Sequence, residues 1–168
     1  MFIFSRKRPG CSDIGNAASF SMETKMPLWN IYHPVGAYTA EEKQEMATRI
    51  ADIYIIPRFY VGVLFHEQPK DSFFMGGEPR SDFVRIRLDQ FARHIAKDPE
   101  WTASWLRKAN AAIAPFVQDR GYHYELHVGE TPRELWLIDG IRPPRPDTNA
   151  EKKWKLENRA SPYEPSEG

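Results

Sequence analysis

The sequence predicts an α/β (α+β) fold: two consecutive βαβ units forming a four-stranded sheet with two helices on one face. Three observations carry this expectation. Leu28-Trp29-Asn30-Ile31-Tyr32 and Tyr60-Val61-Gly62-Val63-Leu64-Phe65 read as strands on either side of an amphipathic helix. Val84, Ile86 and Leu88 alternate with Arg85 and Arg87, the two-residue period of a strand with one buried face. A second helical stretch then leads to Tyr124, Leu126 and Val128, which alternate with His123, Glu125 and His127. Strand, helix and strand in that order imply a right-handed crossover in each unit.

Each element has its own signal. Thr39 stands as an N-cap with Glu42 three residues on, completing a capping box. Behind it Met46, Ile50, Ile53 and Tyr54 recur at helical spacing, and Pro57 ends the run. The strand Tyr60–Phe65 is nearly all apolar, a pattern that predicts burial on both faces. Gly76-Gly77 predicts a turn. The second helix is expected from Pro99 to Val117, with Trp101, Trp105, Ile113 and Phe116 inward. Pro99 suits a first turn, Pro115 kinks or ends the helix early, and Asp119-Arg120-Gly121 stops it. After Gly140 come Arg142-Pro143-Pro144-Arg145-Pro146 and a polar stretch whose large apolar residues are Trp154, Leu156 and Tyr163. The chain thus divides into a leader over 1–26, a domain over 27–144, and a polar tail or arm over 145–168.

The totals bound the function classes. A length of 168 residues fits one domain, and 23 basic against 23 acidic residues leave no global field for nucleic acid or an anionic membrane. Cys11 is the only cysteine, so neither an internal disulfide nor a cysteine-rich zinc site is available. No apolar run approaches the ~18 residues that span a bilayer. A cytoplasmic protein is the expectation. His33, His66, His94, His123 and His127 show no short metal-ligand spacing, and no cofactor motif is present.

Chemistry concentrates at Met26-Pro27. Proline lacks the N–H of a sheet ladder and is tolerated at the first residue of a strand, which is the plain reading of Pro27. The sharper reading places the translation start at Met26. Removing that methionine would leave Pro27 as a secondary amine. An α-amino group titrates near ~7.7–8.0, so such an amine can act as general acid or base near neutrality. Residues 1–25 support that reading. Four apolar residues precede Ser5-Arg6-Lys7-Arg8, the wrong order for a secretory signal. A mitochondrial leader is the other reading of this basic stretch, although Pro9-Gly10 interrupts any helix.

Met26-Pro27, Thr39-Ala40-Glu41-Glu42, Phe65-His66-Glu67-Gln68-Pro69, Phe74-Met75-Gly76-Gly77 and Val128-Gly129-Glu130-Thr131-Pro132 together resemble the tautomerase superfamily. Within it, the chain is similar to the cis-3-chloroacrylic acid dehalogenase group, which includes fungal oxalocrotonate tautomerase-like proteins. The likeness runs from Pro27 to about Pro144. It implies a homotrimer of double βαβ chains, with the amino-terminal proline in a pocket. It implies a small carboxylic-acid substrate held by arginines, and no cofactor.

Carried over residue by residue, the catalytic proline falls on Pro27. The substrate-binding arginines fall on Arg93, with Arg87 or His94 as partners. The dehalogenase histidine near the end of the first helix falls on Tyr54, and the tyrosine before Gly-Glu falls on His127. The water-activating glutamate falls near Ile138, with Asp139 displaced by one. Three dehalogenase positions are changed. The resemblance therefore implies a tautomerase with Pro27, His127 and Tyr54 as catalytic candidates, and Arg93 and Arg87 as substrate-binding ones. Two other readings stand beside it: a hydrolytic dehalogenase or hydratase of a 3-substituted acrylic acid, and a non-catalytic trimeric binding protein.

Overall fold

The computed structural model describes residues 26–91, 99–145 and 147–164. The leader expected over 1–26 therefore lies outside the described residues, except for Met26. Strand β1 (Met26–Pro34) opens the fold and alternates strictly between buried and half-buried positions. Pro27, Trp29, Ile31 and His33 turn to one face, and Leu28, Asn30 and Tyr32 to the other. Helix α1 (Ala40–Asp52) follows. Its capping box is formed: the Glu42 N–H donates to Thr39 Oγ1 at 3.2 Å and the Thr39 N–H to Glu42 Oε2 at 2.8 Å. The helix ends at Asp52, before Pro57, because Ile53, Ile55 and Ile56 are β-branched and the residue ahead of a proline avoids α geometry.

Strand β2 (Gly62–Gln68) returns parallel to β1, closing the first βαβ unit. Two expectations are corrected here. Tyr60 is not in the strand but in a 3-10 turn over Arg58–Tyr60, fully buried against a separate aromatic cluster. Nor is β2 buried on both faces: it forms an edge of the sheet, and Leu64 is 48% exposed. A continuous apolar run does not distinguish a central strand from an edge strand with one open face.

A hairpin of β3 (Phe74–Met75) and β4 (Glu78–Pro79) turns through Gly76-Gly77. Both glycines have positive φ, 62° and 88°, as a primed hairpin turn requires. Strand β5 (Phe83–Phe91), helix α2 (Pro99–Ile113) and strand β6 (His123–Thr131) make the second βαβ unit. α2 gives way to a 3-10 turn at Ala114–Phe116, where Pro115 sits. The sheet order is β2-β1-β5-β6, with β1 and β5 antiparallel at the centre. Trp29, Ile31, Val84, Ile86 and Leu88 meet Met46 and Ile50 of α1 and Trp105, Ala109 and Ile113 of α2 in one core.

The segment over 145–164 does not behave as a formless tail. Helix α3 (Asn149–Glu157) carries Trp154 into a second cluster with Tyr60 and Trp136, and the Trp154 Nε1–H donates to the Ser161 carbonyl at 2.7 Å. The segment lacks enough apolar residues for a core of its own. It shares one, and Met26 packs against the same cluster.

Candidate active site

Strand register decides what surrounds Pro27. Across the sheet, Pro27 pairs with Gln90 of β5, and Gln90 pairs with Glu130 of β6. Residues directly opposite in a ladder share a face, so this row lies on the helix-facing side. Pro27 and Gln90 are buried, whereas Glu130 is exposed at the sheet edge. The next row inward along β1 is aromatic. The Trp29 Nε1–H donates to Tyr54 Oη at 3.0 Å, and both rings lie near Trp105, whose ring stacks on Trp101 with centroids 6.3 Å apart. Burial pushes the Tyr54 hydroxyl above the usual phenol range, the bond from Trp29 opposing this only partly. Tyr54 is therefore a neutral phenol at working pH, able to bond but not to act as a base.

An open cleft of about 500 Å³ lies between α2 and β6, lined by Thr102, Trp105, Leu106, Leu126, His127, Val128 and Glu130. Pro27 does not line it. Two strand spacings separate Pro27 from β6, roughly 10 Å. Gln90 fills the position between them.

The opposite face of the sheet is polar. Arg85 Nε lies 2.7 Å from Glu125 Oε1, an ion-pair contact outside hydrogen-bond angles, and His127 Nδ1 is 3.9 Å from the same oxygen. The Arg87 Nε–H donates to Asp89 Oδ1 at 2.9 Å, and Asn30 Nδ2 donates to Asp89 Oδ2 at 3.4 Å. His66 Nε2 contacts Asn30 Oδ1 at 3.0 Å, and its ring stacks on Tyr32.

The sequence candidates are thus divided between two faces. Tyr54 packs beside Trp29 on the side of Pro27. Arg87 and His127, register partners of each other, belong to the other side, although His127 also borders the cleft along β6. Arg93 and His94 lie outside the described residues. Ile138 pairs its backbone with Ile141 and packs against the second aromatic cluster, and Asp139 beside it is exposed. The row also contains Gln90, which the sequence reading did not single out. The signal was present: Gln90 continues the inward phase of Val84, Ile86 and Leu88 as a polar residue in an apolar row.

Two solved structures align closely with this arrangement. RhCC from Rhodococcus jostii RHA1 is 41% identical with a TM-score of 0.78, over 81% of this chain and 99% of that one. A protein described as a probable enzyme from the thermophilic fungus Aspergillus fumigatus is 36% identical with the same TM-score, over 83% and 99%. The model of the family described as "putative oxalocrotonate tautomerase enzyme" matches residues 26–159. This chain belongs to that family. It lies in the tautomerase superfamily, and N1, a member of the cis-3-chloroacrylic acid dehalogenase family, shares its fold at 20% identity and a TM-score of 0.60, over 76% of this chain and 89% of N1. Among curated proteins, no sequence matches. Among the described residues of this family member, no three metal-ligating side chains converge, and no helix is long and apolar enough to cross a membrane.

Proposed function

We propose that this tautomerase family member uses Pro27, freed of the preceding residues, as a general acid and base on a small enol/keto or unsaturated carboxylic acid. The observation that carries this reading is the place of Pro27: buried at the start of β1, at the head of an aromatic-walled row. The family match begins one residue earlier, at Met26. A secondary amine in such a site is partly desolvated, which disfavours its charged form and moves its titration toward neutrality. Proton transfer by a group so tuned contributes typically ~10²–10⁴-fold to a rate.

Carboxylate binding is assigned to Arg93, with Arg87 reserved for a neighbouring subunit. Arg87 faces away from Pro27 within one chain, so it would serve a site only across a subunit boundary of a homotrimer. A fused 4-OT, which shares the fold at 16% identity and a TM-score of 0.55, forms a symmetric trimer. Hydrolytic dehalogenation lacks its water-activating carboxylate at Ile138, so tautomerisation is preferred.

A second reading has its own observation. Met26 packs against the Tyr60–Trp136–Trp154 cluster, and as long as it stays attached Pro27 is an amide without basic chemistry. In that form the protein is a binding or interaction module. The two readings separate on phenylenolpyruvate ketonisation by three forms: a chain beginning at Pro27, the same chain N-acetylated, and the 168-residue chain. The first should exceed the other two by about 10²–10⁴-fold. Equal rates for all three would decide for the non-catalytic reading.

A further inference from the structure

Gln90 is 1% exposed, and among the described residues neither its Nε2 nor its Oε1 has a hydrogen-bond partner. A buried amide left unpaired costs about 1–3 kcal/mol, which an apolar residue of the same shape would avoid. Val84, Ile86 and Leu88 in the same row show what the core itself accepts. The described core gains nothing from an amide here, which leaves this one available to something that arrives.

The position says what. Gln90 is the direct cross-strand partner of Pro27, and side chains so paired have Cβ atoms about 4.5–5.5 Å apart. A molecule whose proton is handled by the Pro27 amine lies within reach of the Gln90 amide. Tautomerisation makes a particular demand on its neighbours. The substrate oxygen is an O–H donor in the enol and a C=O acceptor in the keto form. An arginine can donate to that oxygen in either form but cannot accept the enol O–H, and an ionised carboxylate can only accept it. A carboxamide has both an acceptor and a donor, and in Gln90 neither has a partner among the described residues.

Resting on the reading of Pro27 as the base, we propose that Gln90 binds the substrate oxygen that changes between hydroxyl and carbonyl. In ketonisation the enol O–H proton passes to the Pro27 amine, and the C–O bond becomes double. The former C=C electron pair takes a proton at carbon from the resulting ammonium. Atoms and charge balance within enzyme and substrate. Gln90 Oε1 accepts from the hydroxyl as the enol is captured, the O–H then turns to the Pro27 amine, and Nε2 donates to the oxygen as negative charge develops there. Placing that donor before the charge appears is how such groups lower a barrier.

The test compares the chain beginning at Pro27 with its Gln90→Met variant in phenylenolpyruvate ketonisation. Residues 27–168 retain every described element, β1 losing only Met26. The variant should lose about 10- to 100-fold in kcat with KM changed less than about threefold, the signature of a bond strongest in the transition state. Its melting temperature should hold or rise, because the unpaired amide is gone. A kcat within about twofold of the parent, with a lower melting temperature, would overturn the proposal and mark Gln90 as structural. A second readout covers a variant that fails to fold. The side-chain amide resonances of Gln90 in the unsubstituted protein should move as phenylpyruvate is added, and resonances that stay still overturn the proposal. The two ideas also fail separately. A parent chain no faster than its N-acetylated form sinks the role of Pro27, and the amide resonances then decide alone whether Gln90 is a ligand-oxygen contact.

Discussion

On one side of β5, Arg85 meets Glu125 and Arg87 meets Asp89; on the other side of the same strand, Gln90 meets nothing among the described residues. The first side is open to water: the Arg87 side chain is 56% exposed and its charge is paired within the strand. Along β5 the second side is buried and, before Gln90, apolar: Val84, Ile86 and Leu88 are fully covered. Within one chain the charge of Arg87 is taken up by a partner and a solvent shell, whereas an amide without a partner among the described residues, in a dry row, keeps its bonding capacity. The difference teaches where to look for chemistry in this fold. It points to the row headed by Pro27, not to the more conspicuous array of charges.

Truncation should break the comparison most sharply. Ile86 is fully buried beneath both helices, and Ile86→Ala should cost about 2–5 kcal/mol in urea denaturation. On the outer face, Arg85→Gln removes the partner of Glu125. In a free chain that loss should stay below about 1 kcal/mol, the ordinary worth of an exposed pair. If three subunits cover this face, removing one partner leaves a charge buried, and the cost rises to about 3–5 kcal/mol. The same variant therefore reports whether the outer face is open or an interface. Light scattering at matching concentrations should find a mass near three chains when the cost is high, and a monomer when it is low.

A smaller effect should come from His33. Burial holds its imidazole below the ordinary histidine range, opposed by its contact with the Pro34 carbonyl at 2.9 Å; Lys43 and His66 lower it further and Glu67 raises it. The unfolded chain then takes up a proton near pH ~6.5, before the folded one does. Stability should be full above that pH and fall as pH drops through the window below it, at no more than about 1.4 kcal/mol per pH unit. His33→Phe, set among Tyr38 and Phe65, should remove this part of the slope. The slope at more acidic pH should remain, since Glu42 and Asp82 are held below the usual carboxylate range by the Thr39 N–H and by Arg80. An unchanged profile in the variant would show that His33 takes up its proton at the same pH in both states.

Much of the frame was legible because each element carries a local signal. The capping box at Thr39, the alternation over Val84–Leu88 and the double glycine of the hairpin are all short-range. What the sequence could not supply is pairing between distant strands. The register that sets Pro27 against Gln90, and so turns Arg87 and His127 to the other face, depends on how β1 meets β5 across more than fifty intervening residues. Tyr60 reads as a strand residue because its apolar neighbours continue the run; its partners, Trp136 and Trp154, lie far along the chain. The segment after Gly140 reads as a polar tail or arm for the same reason. One tryptophan is enough when the rest of the cluster is supplied from elsewhere.

The central claim is that Pro27 works as a free terminus. Its most direct test is intact mass and amino-terminal peptide mapping of active protein from its native source. The account predicts a mass that begins at Pro27, with the amino-terminal peptide unmodified. Residues 1–25 still attached in the bulk of the active material would contradict it.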